Sequence, residues 1–179
     1  MSRLFHEFYV QPMFQVYIET IALFVIWTVA MLLLRPKARR VIALIGTIVA
    51  LFLVLMFTIL NRRSDSAREV SLVPFVTFIN AQIEPELYRT MYMNMLLFLP
   101  LGLSLPFALY GKIKHTVLIS IGIGFLLSVG VEAAQYFFLL GRCETDDVIM
   151  NTLGVLIGSM SFIVFYVKDK RINSKRDWE

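Results

Sequence analysis

Glu132 and Gln135 stand three residues apart inside an apolar run from Thr116 to Leu140. That spacing brings both onto one face of a helix. A carboxylate at membrane depth costs about 2.5–3.5 kcal/mol on insertion scales, so its presence points to function. Glu132 lies eight residues before the expected outer end of its helix, roughly 12 Å deep at 1.5 Å per residue. Other costly groups gather at the same level. Arg89 and Asn94 open the preceding helix, Arg142, Glu144, Asp146 and Asp147 fill the next short loop, and Asn151 opens the last helix. Glu19, in the first apolar run, is expected near the same height. The chemistry such a set supports is recognition of an anionic group by Arg89 and Arg142. Glu132 and Asp147 are the candidates for proton transfer. Asn94, Gln135, Asp146 and Asn151 complete the candidate ligand-binding residues.

Each of these residues also has a structural explanation. Glu132 could form a buried ion pair with Arg142 or Arg89, which costs desolvation and need not add stability. Asp146 and Asp147 could cap the last helix and complement its dipole. Asn94 and Asn151 could bridge helices by hydrogen bonds. The convergence at one depth carries the functional reading. The other half of the bundle, by contrast, is expected to be apolar and inert.

These residues need a scaffold of membrane-spanning helices. Of 179 residues, 58% are hydrophobic and 17% charged, against about 25% charged in a soluble domain. Mean hydropathy is +0.74. Five apolar stretches approach the ~20 residues a span requires, at about 13–34, 41–60, 90–110, 116–140 and 148–167. The expectation is an all-α membrane protein, a single domain over residues 1–179, with five transmembrane helices in a compact bundle. Pro100 and Pro106 lack amide hydrogens and should kink the third helix. Carbonyls freed there must face protein or a cavity. Gly154 and Gly158 form a G-x-x-x-G pair suited to close helix contact. Phe5, Phe8, Tyr9 and Trp27 read as interface-belt and lipid-facing aromatics. A lone cysteine, Cys143, excludes an internal disulfide, and two histidines, His6 and His115, exclude an H-E-x-x-H zinc enzyme. No metal-binding set is singled out, and cofactor use is left open.

Lysine and arginine set the orientation. Arg35, Lys37, Arg39, Arg40, Lys112, Lys114, Lys168, Lys170, Arg171, Lys175 and Arg176 fall on one side, with Arg3, Arg62, Arg63, Arg68, Arg89 and Arg142 on the other. The first side, with every lysine, should be cytoplasmic. The N-terminus is then outside and the C-terminal tail, 168–179, inside. The basic cluster after the first run reads as a stop-transfer flank, not a cleaved signal. The net charge of +4 is a topology signal, so nucleic acid is not an expected partner. The long loop between helices two and three, 61–89, lies outside. Its apolar piece Leu72–Ile79 is too short to span. It should dip into the interface, cover the helix ends, or close over a substrate.

Val73-Pro74-Phe75, then Asn94 through Phe98, Pro100 and Gly102, then Leu105-Pro106, resemble the VanZ-like family. So do Glu132-Ala-Ala-Gln135, Arg142, Asp146-Asp147, Asn151, Gly154 and Gly158. The resemblance covers roughly Glu69 to Ser159, about half the chain. It implies a multi-pass protein of a bacterial plasma membrane, in a family whose founding member is linked to resistance to teicoplanin, a lipid-tailed glycopeptide. The expected role is therefore at the outer leaflet, through an outward polar pocket. Expected partners are membrane lipid and a lipoglycopeptide antibiotic or lipid-linked cell-wall precursor.

Two other classes stay open. An intramembrane enzyme modifying a lipid-linked envelope molecule would use Glu132 as general base or acid, with Asp146 or Asp147 on a divalent cation or in proton transfer. No G-x-S-x-G or pocket Ser-x-x-Lys nucleophile motif accompanies it. A small transporter would need a second copy, docked through Gly154 and Gly158, because the chain has no internal repeat. The oligomeric state is open.

Overall fold

The structure is a computed structural model that describes residues 12–60 and 69–176, with side chains as far as residue 170. The readings made for Phe5, Phe8, Tyr9, Arg3, Arg62, Arg63 and Arg68, and for the side chains of Arg171, Lys175 and Arg176, lie outside the described residues.

Among the described residues, five helices are long and apolar enough to cross a membrane. They are α1 (Met13–Leu33), α2 (Pro36–Leu55), α4 (Glu86–Leu109), α5 (Ile113–Phe137) and α6 (Thr145–Arg176). Helix α2 continues as a π-helical turn, Met56–Leu60. A short helix, α3 (Val76–Asn80), and two two-residue strands, β1 (Val70–Ser71) and β2 (Cys143–Glu144), lie at one end of the bundle. That end is called the loop end here, and the opposite one, which carries Lys112 and Lys114, the lysine end.

Helix α4 is the axis of the bundle. Its stretch from Phe98 to Ala108 is buried except at Pro100, although it holds both prolines. The helix runs on through Pro100 and Pro106. Ser104 donates its hydroxyl to the Pro100 carbonyl at 2.7 Å. The indole N–H of Trp27 donates to the Leu103 carbonyl at 2.7 Å, one residue beyond the carbonyl that Pro106 leaves without its usual donor. Trp27 is therefore a bundle contact, and the lipid-facing reading of it is corrected. Its ring also lies against Gly46 of α2.

Lipid tails are as apolar as leucine, so burial from lipid gives no hydrophobic gain; close packing and hydrogen bonds must hold the helices together. The α4–α6 contact meets that demand. A Cβ on Gly154 would stand 2.1 Å from the Met95 carbonyl oxygen, and one on Gly158 2.5 Å from that of Leu99. The G-x-x-x-G pair thus packs α6 onto α4 within one chain. It is not open for the copy-to-copy docking considered for a transporter.

The lysine end is an aromatic cluster that holds one buried cation. Phe107 meets Phe162 edge-on with centroids 5.1 Å apart, and Phe165 lies alongside. Over Phe165, 4.1 Å from its centroid, sits the guanidinium of Arg39. Arg39 is buried. Its Nε donates to the Met31 carbonyl and its Nη2 to that of Leu34, each at 2.7 Å. A cation here satisfies orphan carbonyls at the negative end of α1. Counted only as a topology charge, Arg39 concealed this role.

Candidate functional site

The site builds from the way α5 ends. Leu139 takes a left-handed backbone, φ 55°, and the Leu140 amide donates back to the Gln135 carbonyl at 2.9 Å. This is a Schellman closure with leucine in the place glycine usually fills. It stops the helix at Phe137, three residues short of the sequence expectation. Glu132 therefore lies five residues from the end of α5, about 7.5 Å deep rather than about 12 Å.

From that closure the chain turns through Gly141, φ 150°, into β2. Strand β2 pairs in parallel with β1, Val70 opposite Cys143 and Ser71 opposite Glu144. The Cys143 amide donates to the Glu69 carbonyl at 3.0 Å, and Arg142 forms an ion pair with Glu69. Both side chains of that pair are more than half exposed, where such pairs contribute about 0–1 kcal/mol. The heavier link is Asp146. It is buried, and its Oδ1 and Oδ2 accept the amides of Phe75 at 2.5 Å and Thr77 at 2.7 Å. Phe75 is held in the left-handed region, φ 65°, which a non-glycine residue adopts at a cost of about 1–2 kcal/mol. Glu144 adds a bond from the Thr77 hydroxyl at 3.2 Å. The loop is thus held to the bundle through its own main chain. Both oxygens of Asp146 thus accept loop amides. It lies in the first turn of α6, but it caps the loop instead of its own helix.

Glu132, 4% exposed, accepts the Glu144 amide through Oε2 at 2.9 Å. Glu132, Asp147 and Glu144 surround Cys143. Burial pushes that thiol above its ordinary range, and the three carboxylates push it further. The candidate acid-base residues thus lie together around the turn into α6.

One layer deeper, the amides serve helix contacts. Gln135 donates through Nε2 to the carbonyl of Thr58, in the π-helical turn, at 3.2 Å. Asn151 donates through Nδ2 to the Ser128 hydroxyl at 2.8 Å. Asn94 Nδ2, Gln135 Oε1 and Asn151 Oδ1 are enclosed without a hydrogen-bond partner in the chain, which is costly for each. Arg89 is half-buried in the first turns of α4.

A cleft of about 160 Å³ opens beside these residues, lined by Glu69, Ser71, Thr77, Asn80, Arg142 and Glu144 among others. Of the candidate residues only Arg142 belongs to its lining. Glu132, Gln135, Asp146 and Asn151 are buried beneath the surface. The single polar pocket of the sequence reading is therefore two things, an open cleft and a buried polar layer. Glu19 belongs to neither. It is exposed on α1 and bonded to Gln15 of its own helix at 3.1 Å.

Sequence reasoning missed Glu69, Thr58 and Ser128. Ser and Thr in an apolar helix give no periodic signal, and Glu69 sits in a stretch of mixed charge. Among the described residues no group of three His, Cys, Asp or Glu side chains is arranged to hold a metal ion.

The sequence has relatives among known proteins. The family model for VanZ/LLP1 matches residues 41–166, from α2 through most of α6 and wider than the Glu69–Ser159 resemblance. Protein VanZ of Enterococcus faecium is 28% identical over 124 residues, 68% of this chain and 68% of that protein. No solved structure matches significantly.

Proposed function

The chain belongs to the VanZ/LLP1 family, and from that premise we propose that it acts at the outer leaflet of a bacterial plasma membrane in glycopeptide resistance. The loop end faces outward, the C-terminus is cytoplasmic, and the cleft engages the polar part of an amphiphile. That amphiphile is a teicoplanin-type lipoglycopeptide or a lipid-linked wall precursor, and Arg142 exchanges its exposed pair with Glu69 for the ligand's anionic group. The observation that carries this reading is the hydrogen-bonded attachment of the loop end to the bundle. Asp146 spends a buried carboxylate on two loop amides, which makes sense where a surface must keep its shape for a ligand. The distribution of lysine and arginine supports the orientation.

The test is expression in a sensitive host, with susceptibility to teicoplanin and vancomycin measured side by side. The proposal expects protection against the lipid-tailed drug alone. Equal protection against both, or none, ends the lipid-tail-dependent reading.

A second reading, an intramembrane enzyme acting on a lipid-linked envelope molecule, is supported by the burial of Glu132 beside Glu144 and Asp147. In it Glu132 is the general acid or base. A Glu132→Gln protein that folds and protects as well as the parent speaks against it.

A further inference from the structure

From Val70 to Ile83 the chain carries no charged residue. Within this stretch Leu72, Val73, Phe75, Phe78, Ile79 and Ile83 are large, apolar and exposed, up to 83% at Ile83. Their neighbours do the opposite work. Ala81 is fully buried, the amides of Phe75 and Thr77 are fixed on Asp146, and Val76, Thr77 and Asn80 line the cleft. The segment thus has one face seated on the bundle and cleft, and one apolar face turned away from them.

We propose that this outward face is an interfacial anchor, with Phe78, Ile79 and Ile83 inserted into the lipid leaflet at the level where the cleft opens. The occupant follows from position. The segment joins α2 to α4, two spans that meet it at the same end of the bundle, so it lies at the boundary between hydrocarbon and water. Phe78 meets Tyr88 edge-on at 5.8 Å, and Tyr88 is itself exposed on the first turn of α4. The apolar face is therefore continuous with the surface α4 shows to lipid, and an aromatic pair marks the join, as at membrane interfaces. Interfacial segments bury such faces about 5–10 Å into the headgroup and acyl boundary. Charges return only at Glu84 and Glu86. The Asp146 clamp sets the depth of this anchor. The inference rests on the five spans and not on any antibiotic, so it stands or falls apart from the proposed function.

The test places a single cysteine at Phe78 or Ile83 in a Cys143→Ser background, couples each to an environment-sensitive fluorophore, and reconstitutes the full chain into dilute phosphatidylcholine–phosphatidylglycerol vesicles. Quenching is measured with iodide in the water and with lipids carrying a nitroxide high or low on the acyl chain. Expected are shielding from iodide and stronger quenching by the shallow nitroxide than by the deep one. Labels quenched by iodide as the free dye is, with no quenching by lipid, overturn the anchor. Labels shielded from both overturn it as well, because protein then covers the face. Ile79→Cys repeats the measurement if either variant fails to purify as the parent does.

Discussion

Glu132 and Glu144 are joined through the main chain, the carboxylate of one accepting the amide of the other at 2.9 Å. The bond ties the last turns of α5 to β2, so Glu132 has a structural task whatever else it does. A glutamine keeps an oxygen able to accept that amide, while an alanine leaves it without this acceptor, at about 1–3 kcal/mol. Glu132→Ala should therefore unfold at lower temperature in detergent, and Glu132→Gln within a degree or two of the parent. Equal loss in both would mean that the charge, not the hydrogen bond, stabilises the turn.

Asp146 presents a similar contrast with Asp147. Asn at 146 offers one oxygen where two amides now bind, and hydrogen bonds to charged groups contribute about 1.5–3 kcal/mol each. Asp146→Asn should leave the five spans folded but free the segment from Ser71 to Ile83. Limited proteolysis should then cut this segment at least several-fold faster than in Asp147→Asn. Equal cutting rates would remove the clamp.

The five spans were legible because each is an unbroken apolar run and the bilayer fixes the length such a run needs. The importance of Glu132 and Asp146 was legible because charge is expensive there. Their partners were not. Phe75 and Thr77 act through backbone amides, which the side-chain alphabet does not encode, and Phe75 adopts a left-handed backbone without being glycine. Leu139 hid the true end of α5 in the same way, so Glu132 seemed deeper than it is. Arg39 was legible as a charge and illegible as a cap, since nothing local shows that it folds back onto Met31 and Leu34.

The α4–α6 contact predicts which glycines accept a methyl group. At Gly154 and Gly158 the added carbon meets backbone at 2.1 Å and 2.5 Å, whereas at Gly122 and Gly130 of α5 it meets nothing within 4 Å. Alanine at the first pair must push the helices apart and should lower thermal stability clearly. At the second pair it should be neutral or stabilising by up to about 1 kcal/mol, the helix preference of alanine over glycine. Similar losses at all four positions would contradict the close α4–α6 approach.

Cys143 provides a pH readout of the carboxylate group. Burial, then Glu132, Asp147 and Glu144, raise its pKa, so at pH 7–8 less thiolate is present than at a free cysteine. Maleimide coupling should be slow there and should climb only above the ordinary thiol range of about 8.5. Glu144→Gln removes one of the raising charges and should shift the profile to lower pH. The sign for stability follows from linkage. The unfolded thiol ionises first, so this contribution is full below the ordinary pKa and is lost as pH rises through the folded one. A coupling profile matching free cysteine would place the three carboxylates away from the thiol.

At the lysine end, Arg39 donates to two carbonyls while its flat face lies 4.1 Å from the centre of the Phe165 ring. Lysine carries the same charge on a single nitrogen and cannot reproduce a planar fork stacked on a ring. If charge alone mattered, Arg39→Lys would behave like the parent. If the fork and the stack matter, it should fall close to Arg39→Ala, with each variant losing on the order of 3–6 kcal/mol for two charge-assisted bonds and up to about 2 kcal/mol more for a desolvated cation–π contact. Phe165→Leu separates the two contributions, because it keeps the carbonyl bonds and removes the ring. Chemical denaturation in mixed micelles should rank the parent above Phe165→Leu, and Phe165→Leu above both Arg39 variants. A lysine variant as stable as the parent would reduce Arg39 to the topology charge that the sequence suggested.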